Sequence, residues 1–556
     1  MTTTHFARRV LASSIALALA AAVSATVSGC GSGRDDSHTV TPPVADIPAV
    51  STGDVFALTV SNRLLSFNRD TPAAVRTNVV VSGLQNGENL LGIDVRPADG
   101  QLYALASSGR LYTINPATGA ATLKATLSAD AADTSAPFTA LAGTDFGVDF
   151  NPVADRLRVV GNTGQSLRIN VDTGATTTDG TINGGAAGTA ITASAYTNAF
   201  AGTTATTLYG IDSANATLYV QNPPNDGKLA TPVTLGVSAG SANGFDIDAR
   251  TNLGYLVSTV GGVRNLYSVN LGASANAATL VGTIAVSEDI RGLALRAAQT
   301  PVILGLGDDN RLLGFKVATP NTVDTSVAIT GLSGGETLLG IDVRPKDGLL
   351  YGLTSSARLV TIDPASGAAT VKATLSADAA DTTAPYTAIQ GSAFAVDFNP
   401  VADRLRVIGD TGQSLRINVD TGATTTDGTI NRAGVPPSVT AAAYTNSIPN
   451  AAATQLFDVD GASSVLALQN PPNDGTLVNV GALGVTIAGS GGMDIGGGNN
   501  GLVLAALRTT AGGASSLYRV DLATGAATLV NGAATPATSR IGSGTTGVRD
   551  IAIWLR

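Results

Sequence analysis

Short runs of alternating apolar and polar residues follow one another along most of this chain, and Gly, Pro, Asn and Asp separate them. The pattern is clearest in four successive runs, at residues 91–97, 101–105, 110–114 and 120–126. Alternation with a period of two is typical of β-strands, and turn residues between the runs are typical of hairpins. This part of the chain is therefore predicted to form four short antiparallel strands.

The four-strand pattern is repeated. Units of the same design start near Leu90, Thr144, Ile191, Asn243 and Asp289, which gives a repeat of about 50 residues. A longer repeat includes these units, because residues 149–174 recur almost letter for letter as residues 397–422, 248 positions later. Repeats of four strands are typical of propeller blades. The sequence predicts an all-β fold, a β-propeller built from two homologous halves of about five four-stranded blades each.

The ends of the halves leave two ways to close a ring. If residues 290–295 pair with residues 55–59, the chain forms two five-bladed propellers; if they continue into residues 302–306, it forms one ten-bladed ring. The short link at 296–301 favours the single ring, whereas the rarity of ten-bladed rings favours two. We expect two propellers, over residues 54–298 and 299–556.

A shared motif places one aspartate near the end of several predicted inner strands, as in Gly92-Ile-Asp94. One interpretation is structural: each carboxylate accepts hydrogen bonds from backbone N–H groups or pairs with Arg96, Arg158 or Arg168. The other is that the aspartates converge on the central channel as a ligand or cation site, with calcium as the candidate ion. The candidate residues are Asp94, Asp149, Asp246, Asp342, Asp397 and Asp494.

The N-terminus has the features of a secretory leader. Arg8 and Arg9 precede an apolar Ala/Leu/Val run that ends in Ser28-Gly29-Cys30, where the small residues before the cysteine resemble a bacterial lipobox. We expect a signal peptide at 1–29, lipidation of Cys30 and a disordered tether at 30–53. Gly31, rather than aspartate, follows the anchor and favours an outer-membrane lipoprotein that is periplasmic or surface-exposed.

Composition excludes several classes of function. The net charge of −9 argues against nucleic-acid binding. The only histidines, His5 and His38, lie in the leader and the tether, which excludes Ser-His-Asp catalysis and histidine-ligated metals in the folded body. We expect a monomeric, non-catalytic envelope protein that binds a protein or glycan. The alternatives are an aspartate-based glycan-active enzyme and a structural spacer without a ligand.

Other segments are assigned to the scaffold. Residues 222–227, Asn-Pro-Pro-Asn-Asp-Gly, are predicted to form a rigid loop, with ligand binding as the alternative. Residues 129–133 are predicted to form a solvated acidic loop, and Asp458-Val-Asp460-Gly461 a turn rather than a calcium loop. Trp554, the only tryptophan, is predicted to pack in the core rather than stack on a sugar.

Several of these motifs resemble a known family, the bacterial domain of unknown function 4394 (DUF4394). They are residues 92–97 (Gly-Ile-Asp-Val-Arg-Pro), 149–152 (Asp-Phe-Asn-Pro), 155–158 (Asp-Arg-Leu-Arg), 195–198 (Ala-Tyr-Thr-Asn) and 221–227, and each recurs 248 positions later. The resemblance covers nearly all of the chain after the tether, twice. It implies secreted or lipid-anchored propellers without an assigned reaction, so it transfers no catalytic residue.

Overall fold

The computed structural model describes residues 52–296, 300–542 and 547–555. Their regular structure is almost entirely β, in eight four-stranded and two five-stranded sheets. Within these ranges no helix is long and apolar enough to cross a membrane. The predicted signal peptide, Cys30 and nearly all of the predicted tether lie outside the described residues.

The strands form two sets of equal number. In chain order, β1 to β21 are Val55–Thr59, Arg63–Phe67, Thr77–Val80, Leu90–Val95, Leu102–Ala106, Arg110–Ile114, Ala121–Thr126, Ser128–Ala129, Phe146–Asn151, Arg156–Gly161, Ser166–Ile169, Ala175–Thr178, Ile191–Tyr196, Leu208–Asp212, Thr217–Gln221, Leu229–Thr234, Asn243–Ile247, Gly254–Val260, Val263–Val269, Ala278–Thr283 and Ile290–Leu295.

The second set repeats the first. In chain order, β22 to β42 are Val302–Gly307, Arg311–Lys316, Val323–Ala328, Leu338–Val343, Leu350–Thr354, Arg358–Ile362, Ala369–Thr374, Ser376–Ala377, Phe394–Asn399, Arg404–Gly409, Ser414–Ile417, Ala423–Thr426, Val439–Tyr444, Leu456–Asp460, Val465–Gln469, Leu477–Ala482, Gly492–Gly496, Leu502–Leu507, Ser516–Val520, Ala527–Leu529 and Val548–Trp554. Short 3-10 turns lie at Pro224–Asp226, Pro472–Asp474, Gly498–Asn500 and Pro536–Ser539.

Each half closes into its own ring. The last strand of the first half, β21, pairs antiparallel with its first strand, β1, so that Leu295 lies opposite Val55. In the second half β42 pairs with β22, and Trp554 lies opposite Val302. The prediction of two five-bladed propellers is confirmed, and the alternative of one ten-bladed ring is wrong. Closure gives the terminal strands β21 and β42 a hydrogen-bonded partner in their own half.

Inner strands surround the axis of each ring and are almost wholly buried, while outer strands such as β7 and β20 are largely exposed. In the first propeller β4, β9, β13, β17 and β21 contact one another in that order, and β21 contacts β4. Glycine allows this close approach. A Cβ added at Gly92 would lie 2.5 Å from Cγ2 of Val148 on the neighbouring inner strand. The apolar faces of adjacent blades form the core between them.

One blade in each ring has a fifth strand that the pattern did not predict. Ser128–Ala129 pairs in parallel with the outer strand β12, and Ser376–Ala377 does the same with β33. The acidic loop that follows remains exposed, as predicted, but Asp133 accepts a hydrogen bond from Thr178 N at 2.9 Å. A two-residue strand is too short to give a recognisable alternation in the sequence.

The two propellers contact each other through a loop of the first. Asn198 Nδ2 donates to Gly498 O at 2.6 Å, and Thr204 N donates to Gly501 O at 2.7 Å. Between these contacts Phe200 is fully buried in an apolar cluster with Leu502 and other residues of the second propeller. This contact places the loop beside β42, because Phe200 shares its apolar cluster with Ile551 and Ile553.

Candidate functional site: acidic triads in the two channels

The six candidate aspartates form two equivalent triads. Asp94, Asp149 and Asp246 lie on three of the five inner strands of the first propeller, and their matching residues in the second are Asp342, Asp397 and Asp494. Within each triad, one carboxylate oxygen of each residue lies within 4.8 Å of the others. The structure therefore brings together the residues that the sequence motif singled out. They are only 2–5% exposed.

Each triad carboxylate also links its blade to the next. Asp94 accepts hydrogen bonds from Val95 N and Phe150 N, both at 2.7 Å, and the second donor lies on the adjacent inner strand. Asp149 accepts one from Tyr196 N at 2.9 Å in the same way. In the second propeller Asp342 and Asp397 repeat these bonds with Phe398 N and Tyr444 N. Such bonds satisfy buried acceptors and fix the spacing of inner strands around the axis.

The structural interpretation offered backbone N–H groups or nearby arginines as partners of these aspartates, and the backbone groups are the partners observed. Arg96 donates instead to Asp155 and Asp172, with N–O distances of 2.5 and 3.0 Å. Arg158 and Arg168 both pair with Asp179. Arg158 lies opposite Asp149 in the strand register, and Arg96 lies two positions after Asp94, but both guanidinium groups have other carboxylates within reach. The triad oxygens accept backbone N–H donors instead.

Because no Lys or Arg of the described ranges forms a salt bridge with the triads, burial and mutual repulsion favour the protonated form. Burial, with repulsion from Asp246, raises the pKa of Asp94 well above its usual value. Burial raises the pKa of Asp246 to about 7 and that of Asp494 to about 6. The pKa values of Asp149, Asp342 and Asp397 are raised by burial and by neighbouring aspartates. This environment favours a bound proton or cation in each triad.

The geometry fits a hard cation. Calcium–oxygen bonds are about 2.3–2.6 Å long, so two oxygens on opposite sides of one ion lie about 4.6–5.2 Å apart. The separation of at most 4.8 Å within each triad is compatible with that limit. Carboxylate oxygens are also the ligand type that calcium prefers. The oxygens keep further lone pairs after accepting one backbone hydrogen bond each.

The sequence motif missed a fourth buried acid in the second channel. Asp550 on β42 is 2% exposed, and its carboxylate accepts hydrogen bonds from Ile341 N and Ile551 N, both at 2.9 Å. Burial raises the pKa of this group well above its usual value. Asp550 lies outside the Gly-x-Asp motif, and only its position on the closing strand would have indicated a place near the axis.

Asp458 and Asp460 do not form the predicted turn, because both are buried residues of strand β35. Asp460 is paired with Arg432 and accepts a hydrogen bond from Ser438 N at 2.9 Å. Neither carboxylate oxygen of Asp458 has a hydrogen-bond partner among the described residues, and burial raises its pKa to about 8. The sequence Asp-Val-Asp-Gly predicted a turn because aspartate and glycine are rare in strands and common in loops.

The 222–227 segment forms a rigid loop, as predicted. Its Asn225 Oδ1 accepts a hydrogen bond from the buried guanidinium of Arg158 at 2.8 Å, and Asn473 does the same for Arg406. The loop thereby closes one side of a buried ion pair. This contact gives the repeated asparagine a structural role.

A cavity of about 520 Å³ is lined by residues of both propellers. Asp494 of the triad is among its lining residues. The first propeller contributes Arg250 and Thr251, and the second contributes Arg344, Lys346, Ser447 and Trp554 among others. Its size lies within the range of small-molecule sites. The wall is mixed in charge, because Arg344 and Lys346 both pair with Asp403.

Comparison with known proteins identifies the two halves as copies of one domain. The family model described as "Domain of unknown function (DUF4394)" matches residues 63–294 and again residues 311–542. No curated protein matches the chain significantly. Among solved structures, the structure of the Dos1 propeller covers 65% of this chain and 86% of its own, with 11% identity and a TM-score of 0.23. A protein from Lactobacillus plantarum covers 63% and 94%, with 15% identity and a TM-score of 0.24.

Proposed function

Because the chain belongs to this family of domains of unknown function twice over, we propose its role from its own residues: a non-catalytic, lipid-anchored envelope protein whose twin propellers form a binding scaffold. The observation that carries the proposal is the cavity between the propellers, to which both rings contribute polar side chains. Sites at the junction of two domains are common places for ligands. A spacer without a ligand would not need such a cavity.

The chemistry of the triads supports a non-catalytic role. Glycoside hydrolysis uses two carboxyl groups about 5–9.5 Å apart on either side of an accessible sugar. The triad carboxylates are at most 5% exposed and already accept backbone hydrogen bonds. A sugar ring has no room among them. Release of reducing ends from envelope glycans by the wild type, lost in Asp494→Asn, would favour the glycan-active enzyme instead.

Calcium in the triads is a second candidate property, and the separation of the oxygens is the observation that favours it. A bound ion would neutralise the buried carboxylates and stabilise the inner strands. Adding calcium to protein treated with a chelator should raise the melting temperature near neutral pH, because a ligand that binds only the folded state stabilises it. Asp94→Asn together with Asp342→Asn should remove this rise. An unchanged melting temperature would leave protonation as the way in which the triads are neutralised.

The anchor is proposed on the cysteine motif. Cys30 is the only cysteine of the chain and follows small residues at the end of an apolar leader. Acyl chains on this residue would hold the protein on the outer membrane, and the tether would separate the propellers from the lipid. Cys30→Ser should abolish labelling with a fatty-acid probe and release the protein from the membrane fraction. Ser28→Ala keeps a small residue before the cysteine and serves as the control. Sedimentation of the Cys30→Ser variant with membranes would contradict the anchor.

A further inference from the structure

A groove recurs at the same place on both propellers. In the second propeller a cavity of about 570 Å³ is lined by Leu350, Asp363, Pro364 and Trp554 among others. In the first propeller a cavity of about 590 Å³ is lined by the matching residues Leu102, Asn115, Pro116 and Arg296. The first three of these pairs lie 248 positions apart in the sequence. The two grooves are therefore one feature of the domain, present twice.

The fourth pair is set by ring closure rather than by the sequence repeat. Trp554 lies opposite Val302 at the end of the closing strand β42. Arg296 follows β21, and its N–H donates to Asp54 O at 2.8 Å; Asp54 lies 248 positions before Val302. Trp554 and Arg296 thus occupy the same place on the two rings. The groove has an aromatic side chain in one propeller and a guanidinium in the other.

Trp554 borders two cavities at once. Part of the residue packs against the apolar cluster around Leu304 and Leu350, so it is only partly buried and not wholly enclosed in the core. It also lines both the groove and the cavity between the propellers. Polar groups lie around it in both: Thr361 and Asp363 in the groove, and Ser447 in the cavity. An aromatic surface bordered by polar groups matches a sugar, whose C–H face is apolar and whose edge carries hydroxyl groups.

The grooves differ in charge. At one turn position the second propeller has Asp363, which accepts a hydrogen bond from Ala365 N at 2.8 Å, and the first has Asn115, which accepts one from Ala117 N at 2.9 Å. Compared with the second groove, the first groove therefore has the cation Arg296 in place of Trp554 and the neutral Asn115 in place of the anion Asp363. Its Asp99 is engaged by Arg96 and Tyr103, at 3.2 and 2.9 Å. A guanidinium recognises carboxylates well because its donors form a planar fork.

We propose that the two grooves are saccharide sites of different specificity: the Trp554 groove binds a neutral sugar by stacking, and the Arg296 groove binds a sugar that carries a carboxylate. This inference deepens the proposed binding role and rests on it. Two sites on one rigid chain would hold a polymer with both kinds of unit more tightly than either site alone. No triad aspartate is among the residues that line the two grooves, so sugar binding there needs neither calcium nor catalysis.

Trp554 provides its own test, because it is the only tryptophan and its fluorescence reports on the groove directly. Chitotriose is the neutral probe and trigalacturonate is the acidic probe. We expect chitotriose to shift the emission of the full chain saturably. Trigalacturonate should bind in calorimetry without shifting it. Trp554→Ala should weaken chitotriose binding at least about tenfold and leave trigalacturonate binding unchanged, and Arg296→Ala should do the reverse.

Two further variants keep the test decisive if Trp554→Ala folds poorly. Trp554→Phe retains a ring and should retain most of the chitotriose affinity, measured by calorimetry. Asp363→Asn retains the tryptophan and should change the affinity while leaving the melting temperature unchanged, since Asp363 is exposed. Binding of neither trimer, or equal chitotriose affinity in the wild type and a folded Trp554→Ala, overturns the proposal. Neither result affects the membrane fractionation of the Cys30→Ser variant, so failure of the anchor is recognised separately.

Discussion

Asp550 occupies the place in the second propeller that Gly292 occupies in the first. Gly292 lies opposite Leu58, and Asp550 lies opposite Leu306, the residue 248 positions further on. The carboxylate links the closing strand to Ile341 N of the next blade, a link that a glycine cannot make. The closing inner strand therefore carries a buried acid in the second propeller and a glycine in the first.

The buried channel acids predict a dependence of stability on pH. Burial raises the pKa of Asp246 to about 7 and that of Asp494 to about 6, whereas an aspartate of the unfolded chain ionises near pH 3.9. Between about pH 4 and pH 7 the folded state therefore binds more protons than the unfolded state. The stability that these groups provide is complete below about pH 4 and is lost as the pH rises through their folded pKa values. For each proton that only the folded state retains, the free energy of unfolding falls by about 1.4 kcal/mol per pH unit.

The measurement is the melting temperature in chelator at about pH 5 and about pH 8, with a fall expected at the higher pH. Asp550→Asn should reduce the fall, because its amide stays neutral at both pH values. Calcium should reduce the fall as well, if it occupies the triads. A melting temperature that is equal or higher at the alkaline pH would contradict the protonation of the buried acids.

Asp94→Asn and Asp342→Asn should each lower the free energy of unfolding by about 1–3 kcal/mol. Each carboxylate uses its two oxygens for two backbone donors, and an asparagine has only one oxygen to offer. Urea denaturation measures the change. Asp70→Asn is the control, because Asp70 is exposed. Equal stability of the wild type and both channel variants would show that these bonds do not support the fold.

Arg158→Met should lower the free energy of unfolding by about 3–5 kcal/mol, and Arg406→Met should lower it by the same amount in the second propeller. The side chain of Arg158 is 1% exposed and that of its partner Asp179 is 5% exposed, with 2.5 Å between them. Removing the guanidinium leaves a buried carboxylate whose remaining partner, Arg168, is about one-third exposed. Arg156→Met is the matched control, since Arg156 donates only to backbone carbonyls among the described contacts. Equal losses of stability in Arg156→Met and Arg158→Met would contradict a special role for the buried ion pair of Arg158 and Asp179.

Phe200→Ala should weaken the contact between the propellers. The ring is fully buried against residues of the second propeller, and truncating a buried phenylalanine costs about 3–5 kcal/mol. We expect calorimetry to resolve two unfolding transitions in the variant. Ile448→Ala is the control, because Ile448 holds the matching position in the second half and is only half-buried. A single transition at a nearly unchanged temperature would show that the rings are coupled elsewhere.

Much of the fold follows from local pattern. Period-two alternation with turn residues predicted the four strands of each blade, and the units near Leu90, Ile191 and Asn243 begin where inner strands begin. A repeated motif also identified the six channel aspartates, because a small residue at the crowded axis, glycine in five cases and Ala395 in the sixth, precedes each acid by two positions. Such features depend on neighbours in sequence, so the sequence alone determines them.

Tertiary structure decided what depends on distant partners. From the sequence, β21 could pair with β1 of its own half or continue into β22 of the second half. The strands β1 and β22 are more than 200 residues apart, and the alternation of apolar and polar residues is compatible with either arrangement. Other features also depend on residues distant in sequence. They are the carboxylates that pair with Arg96 and Arg158, the burial of Asp458 in a strand, and the groove that Trp554 and Asp363 line together. The sequence determines which face of a strand a residue occupies, but the partner on that face is set by how the blades pack around the axis.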